Sequence, residues 1–100
     1  MPWKEVAKVH EVVEGESKVV IVDGRALALF KTGGEIFCID NICKHQGGPL
    51  GEGFLNDGIV TCPWHGWRYD IRTGKSIVAP DISVDRFDVK IEKDKILINI

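Results

Sequence analysis

The sequence predicts an all-β protein. β-branched residues gather in short runs, the runs are separated by Gly- and Asp-containing turns, and no stretch sustains the 3.6-residue period of an amphipathic helix. The expected architecture is one domain over residues 1–100, with antiparallel base sheets packed as a sandwich and a loop-rich insertion at about 41–80.

Trp3 to Val9 reads as an opening strand and His10 to Glu16 as a turn or short helical piece. Lys18 to Val22 and Arg25 to Lys31 flank Asp23-Gly24, a pair suited to the positive φ values of a type I′ hairpin turn. Gly33-Gly34 then leads into a strand over Glu35 to Asp40, and Val84 to Glu92 and Lys95 to Ile100 flank Lys93-Asp94 as a last hairpin. Within Val84 to Glu92, Phe87, Val89 and Ile91 alternate with charged residues, which predicts one dry face and one wet face. The middle of the chain differs. From Asn41 to Pro80 the apolar runs shorten, glycines recur, and most of the Cys, His and Trp collect, the pattern of a long functional loop region.

Composition narrows the function classes. At 100 residues the chain has the size of a single domain, and 44% hydrophobic with 28% charged residues is a globular balance. Thirteen Lys plus Arg against fifteen Asp plus Glu give a net charge of -2, so no nucleic-acid partner is expected. No apolar run approaches the roughly 20 residues that cross a bilayer, and the first twenty residues hold neither a signal core nor a twin-arginine pair. The expectation is a cytoplasmic monomer without membrane contact. Three cysteines, an odd number, argue against a disulfide scaffold.

Two short segments carry the chemistry: Cys43-Lys44-His45, and Cys62-Pro63-Trp64-His65. Each offers one thiol and one imidazole. Such a set suits a tetrahedral zinc site. It also suits a [2Fe-2S] cluster with two Cys on one iron and two His on the other. Zinc modules usually space two cysteines within each half-site, whereas here each half mixes Cys with His, so the cluster fits better. Each loop would place its Cys on the inner iron and its His on the outer one. Gln46-Gly47-Gly48-Pro49 and Gly66 would let backbone approach the sulfurs without a Cβ in the way. Cys38, in the run Glu35 to Ile39, reads as a small buried hydrophobe, and His10, with no Cys or His nearby, as a surface residue. Trp67 reads as packing, and Trp64 as either packing or part of a docking surface.

With C-x-H and C-x-x-H separated by sixteen residues, the segments CKHQGGPL and CPWHGWRYD resemble the Rieske [2Fe-2S] proteins. The resemblance extends to Pro80, which matches a proline loop covering the cluster, and to the flanking hairpins, which match the base sheets. It implies the Rieske fold, one [2Fe-2S] cluster per chain held by Cys43, His45, Cys62 and His65, and a role for the Tyr69 hydroxyl as donor to a cluster thiolate. Where Rieske subunits of respiratory and photosynthetic complexes carry a second, disulfide-forming Cys in each loop, this chain has Gly48 and Trp64; where they carry a Ser it has Trp67.

The resemblance is therefore to the soluble ferredoxins of ring-hydroxylating dioxygenase systems. They are not enzymes but one-electron carriers, taking an electron from a reductase and passing it to a terminal oxygenase. Neutral imidazoles in place of two thiolates leave the oxidised cluster without net charge, which favours reduction and raises the potential. Two other readings stay open: a Rieske subunit held within a larger redox enzyme, and a zinc module for protein interaction.

Overall fold

A computed structural model describes residues 3–44, 47–64, 66–79 and 81–100 of the chain. The described residues form three antiparallel sheets. β1 (Trp3–Lys8), β10 (Lys95–Asn99) and β9 (Val89–Glu92) make one, in the order β1-β10-β9. A second has the order β2-β3-β4-β8, from β2 (Ser17–Val22), β3 (Arg25–Thr32), β4 (Glu35–Asp40) and the two-residue β8 (Arg86–Phe87). The third is a small meander of β5 (Phe54–Asn56), β6 (Ile59–Thr61) and β7 (Arg68–Asp70) inside the insertion. Short 3₁₀ turns occupy Val9–Glu11 and Leu50–Glu52.

The central strands β3 and β4 of the four-stranded sheet are covered on both faces, and their two-residue period decides which side chains reach the site. On β3, Leu27 and Leu29 enter the core shared with Ile96 and Ile98 of β10, while Ala28 and Phe30 enter the core shared with Val60, Tyr69 and Ile71 of the insertion. β4 divides likewise. Cys38 faces the β1-β10 side opposite Leu29, and Ile39 faces the insertion. That alternation places Cys38 on the far side of the sheet from Cys43 and Cys62.

Most of the expected elements form. At the first hairpin turn Asp23 and Gly24 have φ of 53° and 81°, both left-handed, as a type I′ turn requires. Asp57-Gly58, at 52° and 78°, repeats the device between β5 and β6. The exception is the run Val84 to Glu92, which is not one strand with one dry face. It breaks at Asp88: β8 pairs with β4, whereas β9 pairs with β10, so the chain changes sheets there. The carbonyl of Asp88 accepts the Asn99 N–H at 3.1 Å, Val84 is buried in the insertion-side core, and Ile91 is exposed. A residue pattern reports alternation but not which partner strand supplies the covering face.

Candidate metal centre

Two loops bring the cysteines together. The first leaves β4, is narrowed by an Ile42–Pro49 bridge, and is anchored by Asn41, whose buried side-chain oxygen accepts the Gly51 N–H at 2.6 Å. The second joins β6 to β7. The loops share one backbone pattern. The Cys43 N–H donates to the Gly48 carbonyl at 2.9 Å, and the Gly47 N–H donates back to the Cys43 carbonyl at 2.9 Å. In the second loop Cys62 N–H donates to the Trp67 carbonyl at 2.7 Å and Gly66 N–H to the Cys62 carbonyl at 3.1 Å. Gly47 and Gly66 hold matching φ of 77° and 76°, values that glycine adopts without strain.

Cys43 and Cys62 are free, buried, and members of the same core group. Burial pushes the Cys62 thiol up; the Trp64 backbone N–H, directed at its sulfur, pulls it down, and the adjacent Cys43 thiol raises it again. Tyr69 is fully buried on β7. Its hydroxyl oxygen accepts the Lys44 N–H at 3.1 Å and lies 3.3 Å from Cys43 Sγ. The oxygen accepts the Lys44 hydrogen, and toward a Cys43 thiolate, which has no proton to give, the phenol is the donor. Burial, followed by the Cys43 contact, holds the Tyr69 phenol above its ordinary value, so it stays protonated and able to donate.

This donor set fits an iron–sulfur cluster. Two thiols converge in a desolvated place, joined by no disulfide, and their thiolate forms would need a cationic centre to offset the cost of burial. Hydrogen-bond donors already face both sulfurs: Tyr69 toward Cys43, and the Trp64 N–H toward Cys62. His45, Gln46, His65 and Pro80 lie outside the described residues.

Among the expected close-approach glycines, only Gly48 is glycine for want of space. A Cβ there would stand 2.6 Å from Cys62 Sγ, while one on Gly66 would meet nothing within 4 Å. Gly66 serves the positive φ instead. Trp67 is half-buried against the core, as its packing role requires, and Trp64 is 51% exposed. Cys38 is buried in the opposite core, where desolvation pushes its thiol up to about 12, and His10 is exposed in the first 3₁₀ turn. The sequence reading missed the network around Arg25. Its guanidinium bonds Asp40 at 3.0 Å and Asp85 at 2.7 Å and lies over Phe87, tying the root of the first loop to the strand that follows the insertion. Charged residues on separate strands carry no local pattern that would pair them.

Residues 2–90 match the Rieske [2Fe-2S] domain. The ferredoxin component of the naphthalene 1,2-dioxygenase system of Pseudomonas aeruginosa is 34% identical over 99 residues, covering 98% of this chain and 95% of that protein. The solved Sphingomonas yanoikuyae B1 ferredoxin superposes with a TM-score of 0.91 at 32% identity, covering 99% of each chain. The terminal oxygenase of carbazole 1,9a-dioxygenase from Nocardioides aromaticivorans IC177 superposes with a TM-score of 0.89 at 28% identity, over 98% of this chain and 30% of that one.

The chain belongs to the Rieske [2Fe-2S] family. Relatives that it matches over nearly their whole length include ferredoxin components of dioxygenase systems, and it is an electron carrier rather than a catalyst. No helix among the described residues is long and apolar enough to cross a membrane.

Proposed function

We propose that Cys43, His45, Cys62 and His65 hold one [2Fe-2S] cluster per chain, with the thiolates on the inner iron and the imidazoles on the outer one, and that the protein shuttles single electrons from a reductase to a terminal oxygenase. The observation that carries this reading is the pair of buried free thiols at matched positions of two loops, each sulfur faced by its own hydrogen-bond donor. The cluster supplies a one-electron redox couple whose potential responds to hydrogen bonds at the sulfurs and to solvent. The chain's own residues do the rest. Tyr69 donates to Cys43 and fixes Lys44, the Trp64 N–H donates to Cys62, and the cores on both sides of the central sheet hold the loops against rearrangement.

The Rieske domain spans residues 1–100 with its cluster-binding part at about 41–80, and the protein works as a cytoplasmic monomer. Anaerobically purified protein will be red-brown, with two irons and two acid-labile sulfides per chain. Stoichiometric zinc, with no iron taken up on reconstitution, would reject the assignment and favour the interaction module. The match to one portion of a much longer oxygenase chain favours, as a second reading, a Rieske unit held permanently in a larger enzyme. Co-purification with a large subunit at fixed stoichiometry separates that reading from a free carrier.

A further inference from the structure

The geometry points to a non-covalent clamp between Gly48 and Trp64 that locks the two cysteine loops together and closes Cys62 Sγ to water, making both of them positioning residues for the metal centre. Gly48 is buried, and its φ lies outside the left-handed region that would by itself call for glycine. Space is the reason for glycine here. A Cβ at this position would stand 2.6 Å from Cys62 Sγ, 3.1 Å from Cγ of Trp64 and 3.2 Å from its Cβ, so the bare backbone of the first loop already touches the base of the indole on the second.

Both halves of the contact are tied to a cysteine. The Gly48 carbonyl accepts the Cys43 N–H at 2.9 Å, and the Trp64 backbone N–H is directed at the Cys62 sulfur. The Gly48–Trp64 contact therefore closes a circuit through both cysteines, and neither loop can swing away from the other without breaking it. No disulfide shares this task, because Cys38, Cys43 and Cys62 are all free. Cys62 is only 3% exposed, and the space beside its sulfur that a Cβ on Gly48 would enter is bounded by Cβ and Cγ of Trp64, so the Gly48–Trp64 contact seals that side of the thiol.

The consequence for electron transfer rests on the ligand assignment above, whereas the clamp itself does not, and two measurements keep the two apart. In metal-free protein whose far-UV circular dichroism matches that of the holoprotein, alkylation of Cys62 by iodoacetamide, followed by mass spectrometry, will accelerate about tenfold in Trp64→Ala, equivalent to ~1.4 kcal/mol of lost loop closure; where the metal-free chain unfolds, the rate of iron loss to a chelator decides. It will stay near the parent rate in Trp64→Phe, which keeps a ring on Gly48. Gly48→Ala will behave like Trp64→Ala, because the added methyl pushes the indole and the sulfur apart. In the holoprotein the same order will hold for the rate at which iron is lost to a chelator. Val22→Ala, in the opposite core, serves as the control for loss of stability and will move neither rate by as much at an equal fall in Tm. Unchanged Cys62 alkylation in Trp64→Ala, or acceleration no greater than in Val22→Ala, would overturn the clamp. A parent protein devoid of iron and sulfide would overturn the cluster assignment while leaving the alkylation result to decide the clamp.

Discussion

The hydroxyl of Tyr69 bridges the sulfur of Cys43 and the backbone of the next residue: it approaches Cys43 Sγ at 3.3 Å and accepts the Lys44 N–H at 3.1 Å. One oxygen thus fixes the backbone beside a cysteine and polarises the sulfur of that cysteine. Tyr69→Phe will leave the Lys44 N–H without its acceptor, costing about 1–2 kcal/mol. It will also lower the reduction potential, because the lost hydrogen bond favours the more negative reduced state. The fall will be a few tens of millivolts, against the ~59 mV that a tenfold change represents for one electron. Protein-film voltammetry beside thermal unfolding checks both; an unchanged potential would show that the hydroxyl serves the backbone alone.

Cys38 will prove chemically silent. It is 2% exposed, and burial pushes its thiol up to about 12, so in native protein at pH 8 it will resist alkylation until the chain unfolds. Cys38→Ser will retain the full iron content while losing about 1–3 kcal/mol for a hydroxyl placed in an apolar core. The same burial predicts a pH effect. With the folded value above the unfolded one, the folded state binds the extra proton, so this contribution is intact below the ordinary thiol value of 9.0 and is lost between there and about 12. Denaturant titrations across that range will show the alkaline loss in the parent and a smaller one in Cys38→Ala.

Arg25 links Asp40 and Asp85, and hydrogen bonding to Arg25 holds the Asp85 carboxyl below its ordinary value of 3.8. Arg25→Met will cost about 1 kcal/mol, mainly through the half-buried Asp40, since the Asp85 arm is exposed and solvent-screened. The depressed Asp85 value means its contribution is present above the unfolded carboxylate value and is lost as pH falls below it. The acid limb of a Tm-against-pH curve will therefore be shallower in Arg25→Met; parallel limbs would discount the link.

Lys93 sits at φ 59° in the β9–β10 turn, a conformation that costs an L-residue roughly 1–2 kcal/mol. Lys93→Gly will raise stability by about 0.5–1 kcal/mol after allowing for the greater freedom of glycine in the unfolded chain. A gain of that size raises Tm by up to about 8 °C in a domain of this length. Calorimetry reads the change directly.

Ile42, Trp64, Ile77 and Val78 are exposed apolar side chains around the cysteine loops: Ile42 and Trp64 border the loops, and the Ile77 N–H donates to the Arg68 carbonyl beside the second loop at 2.9 Å. A partner taking electrons here will bind by apolar contact over a small, transient interface. Val78→Asp will raise the KM of the oxygenase for the carrier about tenfold, equivalent to ~1.4 kcal/mol. Ile91→Asp, on β9 in the other sheet, will leave it unchanged. Steady-state turnover with each variant distinguishes a docking end from a general surface effect.

The sequence by itself determined the local features. Asp23-Gly24 marks its turn because few residues accept two successive left-handed conformations, and the pairing of Cys with His in CKH and in CPWH is the pattern on which the proposed mixed-ligand centre rests, because the ligand types are written in order along the chain. The strands over Arg25 to Lys31 and Glu35 to Asp40 were legible too, but their continuous apolar runs do not say which residue faces which side. Which face meets the site was decided by packing: the insertion covers Ala28, Phe30 and Ile39, while β10 covers Leu27, Leu29 and Cys38. Likewise the run from Val84 reads as one strand until β4 and β10 compete for its two ends and divide it at Asp88. The joining of Arg25 to Asp85, of Tyr69 to Cys43 and of Gly48 to Trp64 depends on segments distant in sequence meeting in space. Such contacts are fixed by the whole core at once, and no local period records them.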